Sequence, residues 1–183
     1  MSVARQGESQ PVGLFHWLRV IAIGRNPKRT LIRVAVIIVT SVVVFRYVLL
    51  PVRVTGISME PTYHDHSVNF INRLAYLRHA PERGDVVGIR FSGIHDMLMK
   101  RIVGLPGETV SFSGGHVWIN SVRQEEPYLV KYSNWEFSAG TLGPDEFYVV
   151  GDNRSMPQQY HDKGRATRDR IVGKVFLAGN PPP

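Results

Sequence analysis

The sequence predicts a mainly β fold: an antiparallel, partly barrel-like β domain over residues 51–183, preceded by one N-terminal transmembrane helix. Three observations lead there. A strongly apolar run, LIRVAVIIVTSVVVFRYVLL, fills 31–50. After it, short stretches rich in β-branched and aromatic residues alternate with breaks of Gly, Pro, Asn and Asp, the pattern of strands and turns. No long helical period appears beyond Pro51.

The bulk numbers set the frame for these elements. A chain of 183 residues accommodates one modest domain with appendages. At 43% hydrophobic and 20% charged it is neither a disordered chain nor a polytopic membrane protein. The absence of cysteine excludes disulfides, thiolate metal sites and thiol catalysis. The net charge of +7 would suit a nucleic-acid binder, but the basic residues are dispersed. Their one small cluster, Arg25, Lys28, Arg29 and Arg33, directly precedes the apolar run. It therefore reads as the flank of a membrane segment, and no nucleic-acid partner is expected.

The first element is the anchor, over 31–50. Its centre, 34–45, carries no charge. About 20 helical residues at 1.5 Å each span about 30 Å, the hydrocarbon thickness of a bilayer. Arg33 and Arg46 near the ends can snorkel to the headgroups. A buried core element is the bland alternative, since the β-branched residues also suit a strand. A cleaved leader does not fit, because the run ends in RYVLLP without a small-residue cleavage site. Residues 1–33 hold six basic side chains against one acidic, Glu8. The positive-inside rule then keeps 1–30 in the cytoplasm and exports 51–183. Either a bacterial plasma membrane or a mitochondrial inner membrane suits this single-pass topology. The earlier stretch GLFHWLRVIAIG, 13–24, is too short to span and is read as interfacial or as a cytoplasmic lead.

The strands of the β domain are expected at 68–71, 86–91, 97–103, 109–112, 116–119, 146–150 and 171–177, with one short helical turn within 72–80. The closing GNPPP cannot continue a strand and reads as a tail.

Three segments carry candidate chemistry. The first is GISMEPT, 56–62, a few residues past the anchor, with Ser58 as a potential nucleophile. Taken alone it is an ordinary turn. The second is MLMKRIVGLPGE, 97–108. On a strand, Leu98, Lys100 and Ile102 share a face and Arg101 points away. Lys100 among apolar neighbours is a lysine whose proton can be lost near neutral pH, a change worth roughly 4 kcal/mol that desolvation can supply. Taken alone, a lysine snorkelling from a half-buried strand is the simpler reading. The third is GDNR, 151–154, a tight turn leaving an apolar strand.

In this order, after an anchor, these segments resemble the boxes of the type I signal peptidase family: an S-M-x-P-T nucleophile box, a K-R-I-V-G-x-P-G-E box and a G-D-N-R box. RGDVV, 83–87, is similar to a further family strand, and IVGK, 171–174, to the segment that closes its domain. The resemblance covers about 54–177. It implies a β-structured core, Ser58 as nucleophile, neutral Lys100 as general base, and the Ser58 N–H as an oxyanion donor. It implies membrane-bound removal of signal peptides from exported preproteins, after small residues, with no cofactor and no metal site. Substrate preproteins and the lipid bilayer are the partners.

The sequence also departs from the family. Gly56 stands where some members have a serine that serves the oxyanion. The serine that supports the lysine is replaced by Pro157, and an Asp–Arg pair by Gln159 and His161. Ser155 and Tyr160 are the candidates left to support Lys100. Two rival readings are weighed. One is a His-dependent hydrolase or metal site built from His64-Asp65-His66 and His161-Asp162, which a solvated loop explains more simply. The other is a catalytically impaired, membrane-tethered β domain acting as a binding module.

Overall fold

The computed structural model describes residues 26–92, 96–130, 132–161 and 164–176. The segment 13–24, most of 1–30 and the GNPPP tail lie outside them. The chain divides into two compact units, Met1–Val44 and Phe45–Pro183.

In the first unit, helix α1 runs over Pro27–Val43. Asn26 caps it, its side chain accepting a hydrogen bond from Arg29 N, and proline occupies the start of the helix, where its missing N–H costs nothing. None of its residues is buried, and Leu31, Ile37 and Val39 are each more than 60% exposed. From Val34 onward the helix is apolar on most sides, and among the described residues nothing buries it. A π turn, Val44–Val48, follows. Together Pro27–Val48 is a helix of 22 residues, long and apolar enough to cross a membrane. The last residues of the apolar run, Leu49 and Leu50, are not helical but open a strand.

The second unit is mainly antiparallel β, in two sheets. The larger holds seven strands in the order β1-β2-β11-β3-β4-β9-β10 and the smaller holds β7-β6-β5-β8. The strands are β1 Leu49–Arg53, β2 Val68–Asn72, β3 Val86–Ser92, β4 Asp96–Gly104, β5 Thr109–Ser113, β6 His116–Ile119, β7 Val122–Arg123, β8 Phe137–Thr141, β9 Glu146–Val150, β10 Arg165–Thr167 and β11 Ile171–Phe176. Every pairing is antiparallel. All seven expected strands are present. The expected helical turn within 72–80 is instead a pair of successive turns, closed by Ala75 N to Asn72 O and Leu77 N to Leu74 O. The Asn72 side chain takes the Leu74 N–H at 2.9 Å, which favours a turn over helix continuation.

Strand alternation sorts the apolar residues into three cores. One face of β3, β4 and β9 contributes Val87, Ile89, Ile102, Phe147 and Val149, joined by Ala166 and Ile171. Met59, Ile71, Val86 and Val175 form a second cluster, against which Met97 and Met99 pack. The third fills the space between the sheets: Val103, Tyr148 and Val150 meet Val110, Phe112 and Trp135. The β3–β4 register sets Val87 opposite Lys100, and β4–β9 sets Arg101 opposite Val150. Lys100 therefore stands where the β9 ladder stops and the chain turns out through GDNR.

Candidate active site

The loop carrying Ser58 is pinned at four points. Gly56 N donates to Asp65 Oδ1 at 2.8 Å, and Gly56 itself has φ +99°, a conformation that favours glycine. Asn153 holds the next two residues, its side chain donating to Ile57 O and its backbone N–H to Ser58 O, both at 3.0 Å. Thr62 Oγ1 donates to Asp152 Oδ2 at 2.6 Å. These bonds explain the GDN sequence. A side chain at Gly151 would lie 2.2 Å from Ser58 O and 3.1 Å from His161 Cε1, so only glycine lets the three strands of chain meet.

Asp152 is the hub. Its carboxylate receives Arg101 through two bonds, Nε to Oδ1 at 2.8 Å and NH2 to Oδ2 at 2.6 Å. Arg101 also donates to Gly84 O at 2.8 Å, and its guanidinium lies 3.9 Å from the centre of the Tyr128 ring. One buried carboxylate thus ties the nucleophile box, the lysine box and the RGD strand together. A pair of this bidentate kind is rigid as well as strong. Arg154 is saturated too, by Glu126 and Gly151 O, and Arg83 bonds Glu108 and Val103 O.

Lys100 is half-buried on β4, and Arg101 does project from the opposite face, as the alternation of the strand requires. Lys100 lines a cleft with Ile89, Leu98, Val149, Tyr160 and His161. Among the described residues it has neither an ion-pair nor a hydrogen-bond partner. Burial lowers its pKa from 10.5 to about 8, against a weaker opposing pull from the Asp152 carboxylate. Ser58 lines the adjoining cleft with Val54, Ile71, Gly88, Met97 and Leu98, and Leu98 is common to both. No hydrogen bond joins the Ser58 and Lys100 side chains among the described residues. The register continues from Arg101–Val150 to bring Gly151 beside Lys100, and Ser58 O rests on Gly151.

Of the two candidate supports for Lys100, Ser155 turns away, its Oγ donating to Asn153 Oδ1. Tyr160 lines the lysine cleft but is 62% exposed. His161 lies in the same cleft and is buried. Asp65 of the His-Asp-His triplet serves Gly56 N, and no cluster able to hold a metal occurs among the described residues.

Comparison with known proteins bears on the family. The family model described as signal peptidase, peptidase S26, matches residues 28–178. A probable signal peptidase I-2 of Synechocystis sp. is 32% identical over 132 residues, which cover 69% of this chain and 61% of the relative. The match thus spans less than two thirds of that relative's length. Signal peptidase IB of Staphylococcus aureus (strain Mu50) is 28% identical over 163 residues, covering 79% of this chain and 85% of the relative. A crystal structure of a signal peptidase I from Enterococcus faecalis V583 aligns at a TM-score of 0.46 and 24% identity, over 52% of this chain and 97% of that one. With the family model extending from α1 to the end of β11, the chain belongs to the signal peptidase family, peptidase S26.

Proposed function

We propose that the protein is a membrane-bound serine endopeptidase that removes signal peptides from exported preproteins, with Ser58 as nucleophile and Lys100 as general base. The observation that carries this reading is Lys100 itself: a half-buried lysine with no counter-ion among the described residues, its pKa lowered to about 8, beside the pinned loop that holds Ser58. A structural lysine would be paired or solvated.

In the reaction, Ser58 Oγ attacks the scissile carbonyl as neutral Lys100 takes its proton. The ammonium then returns that proton to the departing amine, and the same base activates the water that releases the acyl group. Among the described residues nothing accepts a hydrogen bond from Ser58 N–H, which leaves it for the oxyanion. The free-state separation of the two side chains is no obstacle, because catalytic hydrogen bonds often close only with substrate in place. The apolar cleft beside Ser58 suits small residues on the acyl side of the cut. Helix Pro27–Val48 crosses the plasma membrane, the N-terminus stays cytoplasmic and the β unit works on the exported face. Ser58 follows Pro51 by seven residues, so the chain alone holds it within about 25 Å of the segment's end.

The test offers a preprotein with an A-x-A cleavage site to the full chain in lipid, beside Ser58→Ala and Lys100→Ala. Each variant is expected to lose about a thousandfold or more in kcat/KM, and parent activity is expected to rise with pH through about 8. Variants that cleave like the parent sink the dyad. A parent that cuts no such substrate points to the binding module.

A further inference from the structure

His161 is the one residue for which the described residues include buried side-chain nitrogens without a hydrogen-bond partner, and both of its ring nitrogens are in that state. The residue is 3% exposed and its ring lies 4.5 Å from the Trp135 ring, centre to centre. Leaving a buried polar atom unpaired costs about 1–3 kcal/mol, so a native protein that keeps one normally uses it. The neighbours that carry donors are mostly committed. Trp135 Nε1 donates to Met156 O at 3.2 Å. Tyr148 OH donates to the carbonyl of His161 itself, at 2.9 Å. Arg154 is held by Glu126 and Gly151 O. Arg165, also on the cleft, pairs with Glu146 at 2.6 Å, and Arg170 lines the same cleft. Gln159, Tyr160 and Arg170 line the cleft without a side-chain hydrogen bond among the described residues but are exposed to solvent. Lys100 is the half-buried donor there without a partner, and of the cations on the cleft it is the one whose charge acts on the ring.

We propose that His161 is the positioning residue for Lys100: one ring nitrogen accepts a hydrogen bond from Nζ and turns the amine's lone pair toward Ser58 Oγ. The position suits the task. His161 Cε1 and Ser58 O converge on Gly151, the residue beside Lys100 in register. Burial, with the charges of Lys100 and Arg154, lowers the His161 pKa to about 3, so the imidazole stays neutral and keeps an acceptor nitrogen at every working pH. Asp152, the charge that acts on Lys100, is engaged by Arg101 and Thr62. The assignment rests on the Ser58/Lys100 reading and fills the role left open by Pro157.

Two measurements on the full chain test it. In ¹⁵N-histidine NMR, the His161 ring nitrogens, identified by their loss in His161→Gln, should shift in one step at the pH where Lys100 titrates, and the step should vanish in Lys100→Met. In kinetics, His161→Phe should lose about tenfold or more in kcat/KM, the scale of one hydrogen bond to a charged group, and its acid limb should move to lower pH because an acceptor that favours the ammonium is gone. His161→Gln, which still accepts a hydrogen bond, should recover most of the rate. A ring satisfied by trapped water would show no NMR step, and that result overturns the assignment. So does a His161→Phe enzyme with the parent's rate and pH profile. If Lys100→Ala stays active the dyad itself has failed, and the NMR step then reports the contact separately.

Discussion

The proposed role of Lys100 rests on what its burial costs. Its folded pKa of about 8 lies below the ordinary 10.5 because burial disfavours the ammonium. Between those two values the unfolded chain holds a proton that the folded chain has lost, so stability rises with pH across that window. Below about 8 both states are protonated and the full cost is present, on the order of 3 kcal/mol. Lys100→Met is therefore expected to abolish cleavage yet raise the melting temperature at pH 7. The gain should shrink as pH climbs from 8 toward 10.5, and thermal scans at pH 7, 9 and 10.5 measure it. A variant that melts below the parent at pH 7 would mean the lysine is structurally paired after all. Under the proposed Ser58/Lys100 mechanism the same residue sets the activity profile, since only the neutral amine could take the Ser58 proton.

At the scale of elements, the turn after β9 is the joint of the site. Asp152 there holds Thr62 from the Ser58 loop and Arg101 from β4. Removing a buried charge partner leaves Arg101 uncompensated, so Asp152→Ala is expected to cost about 3–5 kcal/mol, read from a denaturant midpoint. Asp152→Asn keeps the shape but removes a charge that favours the Lys100 ammonium. The acid limb of kcat/KM should accordingly fall to lower pH in the residual activity. An unmoved limb would show that Asp152 is electrically silent at the site. How far these elements are legible in the sequence depends on how they are stabilised. The central strands announce themselves through β-branched alternation, and β4 even shows the faces of Lys100 and Arg101. The strands that sequence reading misses are β1, β7, β8 and β10. Strand β1 contains Pro51, tolerable because β1 is an edge. Strand β7 has two residues and β10 three. Strand β8, FSAGT, is bulged at Gly140 with φ +75°. Their pairing is imposed by partners rather than by local preference. The motif positions Ser58, Lys100 and Asp152 are likewise readable in order, while the Asp152 junction depends on a contact across 90 residues of chain and the burial of His161 on packing against Trp135.

For the molecule as a whole, the proposed membrane topology decides which proteins it can meet. Helix Pro27–Val48 supplies the length, and the charge on its flank supplies the sign: six basic residues against one acidic in 1–33. Short basic flanks resist translocation, so the N-terminus should stay inside and the β unit go out. Arg46 and Arg53 lie beyond the apolar centre and weaken that bias without reversing it. The absence of cysteine makes a clean experiment possible, because any engineered thiol is the only one present. Ser9→Cys reports the N-terminal side. Arg123→Cys, exposed on the short strand β7 and far in sequence from the Ser58 loop, reports the β unit. A membrane-impermeant maleimide applied to sealed cells stripped of their outer layers should label Arg123→Cys at once and Ser9→Cys only after detergent. The opposite pattern would put the peptidase on the cytoplasmic face, where signal peptides have not yet been translocated. It would leave the Ser58/Lys100 chemistry intact while removing preprotein processing as its purpose. Labelling of both sites before detergent would show that α1 does not span, and that its exposed apolar surface is covered in some other way.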